Sequence, residues 1–167
     1  LYQRVAVDGR GSELRAVNVD RGADFALARL AAPASSVAWL DGTTVAMTIP
    51  TQLYQEEPGV RIVRHWPVWF DGVGFVYNTR AQVYVLDTRG GRVERLTQDE
   101  YSYSHLAADP LGRYALASVV RDPSRPYRTA LAIVRRDGTV EDVELGRDLW
   151  IGPLAVSPGG DLVAFFG

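Results

Sequence analysis

A short unit recurs along this chain and limits what it can fold into: an apolar strand, a turn containing Gly, and a second apolar strand. It occurs as Ser36-Val37-Ala38-Trp39-Leu40-Asp41-Gly42 followed by residues 44–48. It recurs as His105-Leu106-Ala107-Ala108-Asp109-Pro110-Leu111-Gly112 followed by residues 114–120, and as Pro153-Leu154-Ala155-Val156-Ser157-Pro158-Gly159-Gly160 followed by residues 162–166. Pro presets φ for such turns and Gly accepts positive φ. A second unit interleaves with the first: an alternating strand, a charged Gly turn and another strand. Its copies centre on Asp20-Arg21-Gly22, on Asp87-Thr88-Arg89-Gly90-Gly91 and on Arg135-Arg136-Asp137-Gly138, and each reads as a hairpin. Helical periodicity is nearly absent.

Together the two units make a four-stranded antiparallel meander. Its later copies lie about 50 residues apart, the upper end of the roughly 40 to 50 residues of a β-propeller blade. The interval from Asp20 to Asp87 is longer, and an insert at residues 50–77 accounts for the excess. The expected fold is therefore all-β, a partial β-propeller of about three blades. An incomplete blade is expected at residues 1–33, a full blade carrying the insert at 34–98, a full blade at 99–147 and an incomplete blade at 148–167. Closed propellers have about 4 to 8 blades, so this arc leaves a strand edge and an apolar face open, which favours association. Both ends read as cut within a blade. The first residues carry no basic segment followed by an apolar one, so no signal peptide is expected.

Composition removes several function classes. With 47% hydrophobic and 23% charged residues, the balance is that of a globular chain. No apolar run approaches the ~18 to 20 residues of a membrane helix, so no membrane partner is expected. A net charge of −2 offers no basic face for nucleic acid. Cysteine is absent, which excludes disulfides, thiolate nucleophiles and cysteine metal sites, and fits a cytoplasmic location. No His/Asp cluster has metal spacing, Gly72 and Gly74 lack the surroundings of a dinucleotide site, and no cofactor is expected.

One stretch carries a family resemblance: Phe70-Asp71-Gly72-Val73-Gly74-Phe75-Val76, then Gln82-Val83-Tyr84-Val85-Leu86-Asp87, then Gly90-Gly91-Arg92-Val93-Glu94-Arg95-Leu96-Thr97. It resembles the propeller of the prolyl oligopeptidase family of serine peptidases, in its acylaminoacyl-peptidase-like branch. The run from Ala155 to Phe166 is similar to a blade motif of that branch and of periplasmic TolB-like propellers. Val156 stands where the branch has an aromatic, and Asp109 where the motif has Ser. The resemblance implies a two-domain enzyme whose α/β-hydrolase domain carries the Ser-Asp-His triad while the propeller admits short peptides.

No hydrolase domain is present, and the nucleophile elbow G-x-S-x-G is missing. The chain alone is expected to be non-catalytic. Ser157 lies in a turn; His65 lies in the insert and His105 opens a blade strand, with no triad in prospect. Four residues are candidates for substrate binding. Glu56 and Glu57 form a carboxylate pair of the type dipeptidyl-peptidase relatives use to hold a free amine, or else a solvated acidic loop. Arg61 and Arg64 flank Ile62 and Val63 in an expected insert strand; they either line the inter-domain cleft or stand as exposed edge charges. Trp66, Trp69, Phe70, Phe75 and Tyr77 form a peptide-binding wall or pack the insert on the blades. The expected partners are the rest of the parent peptidase or a second copy, and a peptide substrate. The alternative is a non-enzymatic TolB-like propeller that binds proteins.

Overall fold

Residue alternation becomes strands throughout. The computed structural model describes residues 1–5, 11–63, 68–70, 74–76, 78–146 and 149–167, with 68–70 and 74–76 described in backbone only. Strands β1 (Tyr2–Val5), β2 (Ser12–Val17) and β3 (Asp24–Leu30) form an antiparallel sheet in that order. Next come β4 (Ser36–Trp39) and β5 (Thr44–Gln52), an excursion holding the hairpin β6 (Val68–Phe70) and β7 (Gly74–Val76), then β8 (Thr79–Asp87) and β9 (Arg92–Arg95). The order in this second sheet is β4-β5-β8-β9. The third sheet runs β10 (Ser102–Ala108), β11 (Tyr114–Val120), β12 (Ala130–Arg135) and β13 (Val140–Val143) without interruption. A final hairpin pairs β14 (Leu154–Val156) with β15 (Val163–Phe165). Among the described residues no helix is long and apolar enough to cross a membrane.

The sheets stack face to face, and three apolar seams hold them. Leu14, Leu30, Val45, Met47, Ile49 and Leu86 join the first sheet to the second. Leu40, Ala46, Val83, Leu106, Ala115, Ala117 and Val119 join the second to the third. Leu116, Leu131 and Ile151 join the third to the last hairpin. A strand covered on both faces shows no alternation in burial: β11 is buried at five consecutive positions, 115–119. Each large aliphatic side chain sunk into a seam stabilises the stack by about 1.5–3 kcal/mol.

Two boundaries differ from the sequence expectation. Strand β5 runs through Pro50 to Gln52, so the insert occupies residues 53–78 rather than 50–77. Pro50 pairs with Ala81, whose N–H points away from β5 and donates to Ser102 Oγ at 3.2 Å. Strand β4 ends opposite Thr48, so no neighbour on that side needs the N–H that Pro50 lacks. The second difference concerns His105, which lies inside β10 instead of opening it. Strand β10 begins at Ser102 because Tyr103 is fully buried while the serines on either side alternate with it.

Among the described residues His105 is also the non-glycine residue with positive φ, 51°, within a bulge between Ser104 and Ala107. His is among the residue types that enter this region more readily. The bulge turns the Leu106 N–H out of its own sheet, and it donates to Ser36 Oγ of β4 at 2.9 Å.

Candidate functional site

A meander places its connections at two ends. The turns from first to second strand and from third to fourth share one end; the connections from second to third strand and from one sheet to the next share the other. In this chain the two ends have different chemistry.

The first end is built from tight turns that seat on their neighbours. Gly112, at φ +69°, lies so close to the second sheet that a Cβ on it would be 2.8 Å from Leu40 O. Arg136 Nε donates to Gly112 O at 3.0 Å, and the same guanidinium bonds Asp41. That bond, reinforced by the Thr43 N–H, holds the Asp41 carboxyl well below the usual carboxylate range. Gly160, at φ +73°, repeats the arrangement: a Cβ there would be 2.6 Å from Asp109 Oδ1. The Asp109 side chain is fully buried and accepts from Arg113 through Nε at 2.7 Å, Nη2 at 2.9 Å and the backbone N–H at 3.1 Å. The Arg113 guanidinium lowers its pKa. Ser157 occupies the matching position in the last hairpin, and its Oγ accepts the Leu162 N–H at 3.1 Å. Each copy thus holds its turn with its own side-chain acceptor, a carboxylate on the Arg113 N–H at Asp109 and a hydroxyl on the Leu162 N–H at Ser157.

The second end carries the insert, the 121–129 loop and the crossings between sheets. Asn78 closes the root of the insert. Its buried side-chain amide donates to Tyr54 O at 2.8 Å and accepts the Tyr54 N–H at 3.2 Å, as an extra strand residue would. Beyond it, Tyr54 OH bonds Ile62 O, and Glu56 Oε1 accepts the Ile62 N–H at 3.4 Å. These bonds take up the backbone groups a partner strand would use, and residues 61–63 form no strand, contrary to the sequence expectation. One oxygen of Glu56 thus closes the loop on itself, while Glu57 and Arg61 are exposed. Arg64, His65, Trp66 and Tyr77 lie outside the described residues, as do the side chains of Trp69, Phe70 and Phe75.

Where the second and third sheets meet at this end, a polar cluster forms that sequence spacing does not reveal. Gln82 Nε2 donates to Tyr101 O at 2.7 Å, and Gln82 Oε1 accepts from Thr97 Oγ1 at 2.8 Å. Tyr103 OH donates to Asp99 Oδ2 at 2.5 Å, and burial pushes this phenol up. Arg121 stacks 4.5 Å from the Tyr101 ring centre and forks onto Asp142. Arg80 is desolvated at the foot of the insert, which lowers its pKa; it donates to Thr79 O at 2.9 Å.

A cavity of about 300 Å³ opens beside the 121–129 loop, lined by Arg121, Arg128, Leu131, Asp142, Glu144 and Leu149. Tyr127 on that loop is 81% exposed. Among the described residues no group of His, Cys, Asp and Glu is placed to hold a metal ion. His105 meets Trp150 edge-on at 6.4 Å between ring centres. This end offers hydrogen-bonding and aromatic surface on loops held by a rigid frame, the arrangement in which binding residues concentrate.

No family model matches the chain, and no curated protein matches it by sequence. Solved structures do. TolB from Acinetobacter baumannii superposes with a TM-score of 0.56 at 12% identity, covering 99% of this chain and 37% of that one. Pyrococcus horikoshii acylaminoacyl peptidase gives 0.57 at 17% identity, covering 90% and 25%. An oligogalacturonate lyase in complex with manganese gives 0.58 at 10% identity, covering 93% and 36%. The chain spans between a quarter and just over a third of these proteins, and identities this low carry the fold alone. With its sequential antiparallel meanders and these neighbours, the chain is an all-β segment of a β-propeller, with no hydrolase domain in it.

Proposed function

We propose that this chain is the propeller segment of an acylaminoacyl-peptidase-like serine peptidase, where it gates and positions short peptides for a hydrolase domain outside it. One observation carries the reading: a full-sized insert, closed at its root by Asn78, leaves the second sheet between its second and third strands. It does so next to the stretch whose residues resemble that branch, and 90% of the chain superposes on an acylaminoacyl peptidase. In this reading the exposed Glu57 and Arg61, with Glu56, meet arriving peptide, and Arg64 is given the same role from the sequence alone. In this reading the chain is held by the remaining blades of its parent or by a second copy, since among the described residues the first sheet has three strands and the last has two, against four in the second and third. A cytoplasmic setting belongs to the same reading.

The test is labelling with a fluorophosphonate probe. The 167-residue chain is expected to remain unlabelled and to cleave no acyl-peptide substrate. The parent polypeptide is expected to label. Glu57→Gln and Arg61→Gln in that parent should change KM for short peptides and leave kcat nearly unaltered. A parent that no serine probe labels would overturn the peptidase reading. It would favour a non-catalytic protein-binding propeller, the reading supported by the superposition of TolB on 99% of the chain.

A further inference from the structure

The outer edges of the first three sheets are protected unequally. Strands β4, β10 and β14, each the first of its sheet, touch in sequence along the inside, so β9 and β13 stand at the rim of theirs and β3 at the rim of the first. Strands β9 and β13 are four residues long and carry charge at their centres, Glu94 in one and Glu141 and Asp142 in the other. Shortness and charge keep an open edge from pairing. Strand β3 has seven residues, and Phe25-Ala26-Leu27-Ala28 at its centre carry no charge. Among the described residues β2 is its only strand neighbour, and no other backbone group bonds it.

The register shows what that edge offers. Asn18 N–H donates to Ala23 O at 2.8 Å, so residues 18 and 23 form a hydrogen-bonded pair. Bonded and non-bonded pairs alternate along an antiparallel ladder. Val17↔Asp24 and Arg15↔Ala26 are therefore non-bonded pairs, and Asp24 and Ala26 turn their backbone N–H and C=O away from β2. A bulge takes up the extra residue, after which Arg29, opposite Glu13, resumes the same direction and the same face. The outward residues are thus an acid, a small residue and a base at even steps. That order is self-complementary: run antiparallel to itself, it sets Asp24 against Arg29 and Ala26 against Ala26. Both ends can take the pairing. Arg29 has no ion-pair partner among the described residues, and the Glu13 carboxylate across from it bonds Arg15 Nη1 at 2.5 Å. Asp24 bonds Arg15 and Tyr2, yet its side chain is still 42% exposed. Phe25, on the opposite face and half-exposed, meets Leu27 and Ala28 of the second copy.

We infer that the free edge of β3 pairs with the β3 edge of a second copy, antiparallel about a two-fold axis at Ala26. The contact is isologous and closes on itself, so it yields a dimer and no filament. A blade added to the ring covers a sheet face and leaves this edge open. The pairing therefore depends neither on how the ring is completed nor on the peptidase reading.

Ala26→Cys tests it, since the chain has no cysteine of its own. A hydrogen-bonded antiparallel pair sets its Cα atoms about 5.5 Å apart, within disulfide reach. Mild oxidation should link Ala26→Cys into a dimer and leave Glu94→Cys, on the β9 edge, monomeric. In light scattering over a dilution series, the unaltered chain should pass from monomer to dimer as concentration rises. Ala26→Pro removes an N–H that the dimer uses and the fold does not, and should abolish the dimer. Arg29→Gln should weaken it about fivefold by removing two symmetry-related charge pairs. Arg29 is exposed, so that variant should keep its melting temperature. A monomer at every concentration, Arg29→Gln and Ala26→Pro dimerising as strongly as the unaltered chain, or a Glu94→Cys disulfide forming as fast as that of Ala26→Cys would each overturn the assignment.

Discussion

The two ends of the blades are made from the same strands yet obey different constraints. At one end every connection is a few residues long, and Gly112 and Gly160 seat against the sheet before them with no room for a side chain. At the other, residues 53–78 and 121–129 extend from paired strands whose register is unaffected by them. The insert-bearing pair β5–β8 is longer than the insert-free pair β11–β12, but both keep an unshifted antiparallel ladder. Length and chemistry can therefore vary at the loop end, because its hydrogen bonds close locally. The turn end cannot vary, because its backbone is part of the seam.

That division makes a ranked set of predictions. The largest effect is expected for Gly112→Val. It combines a disfavoured backbone region with a clash against Leu40 O, and should cost about 3–4 kcal/mol in urea denaturation. Next, Asp109→Ala removes the buried acceptor of three Arg113 bonds and should cost about 2–3 kcal/mol. Asp109→Ser should recover part of that loss, since Ser157 holds the equivalent turn with a hydroxyl.

Acid should act through the same carboxylate. Arg113 lowers the folded pKa of Asp109 below its unfolded value of about 3.9. Its contribution is thus present above that value and is lost as pH falls through it towards the folded pKa. The denaturation midpoint should drop as pH falls from about 5 through the unfolded value of about 3.9 and below it, and less steeply in Asp109→Ser.

At the loop end, Asn78→Ala should cost about 2 kcal/mol or less, and its clearer sign should be faster proteolysis within residues 53–63. By contrast, at the turn end an exposed pair matters little: Arg136→Ala should cost about 0.5–1 kcal/mol, declining with added salt, because the Asp41 pair is partly exposed. Glu57→Gln should stay within about 0.5 kcal/mol of the parent. If Asn78→Ala or Glu57→Gln destabilised the fold as much as Gly112→Val, the division between the ends would collapse.

The architecture was legible in the sequence because turn and strand are written locally. Asp-Thr-Arg-Gly-Gly at 87–91 and Arg-Arg-Asp-Gly at 135–138 mark hairpins by themselves. What stayed hidden depends on residues far apart along the chain. Asn78 is an unremarked residue until the fold brings Tyr54 to it. The strand expected around Ile62 fails because Tyr54 and Glu56 reach its backbone groups first, a competition that hydropathy does not register. Strand β10 begins three residues before His105 because Tyr103, set between two serines, is buried by the neighbouring sheet. Asp109 looked like a broken Ser-Pro motif, and its role emerged only with Arg113 folded over it.

The seating of the turns has a direction. Gly112 rests on Leu40, Gly138 on Leu96 and Gly160 on Asp109, each later residue on an earlier one. A chain emerging from the ribosome makes the receiving surface before the turn that fills it. Each blade would then find its template already folded, and assembly could proceed vectorially, one blade at a time, without waiting for the ring.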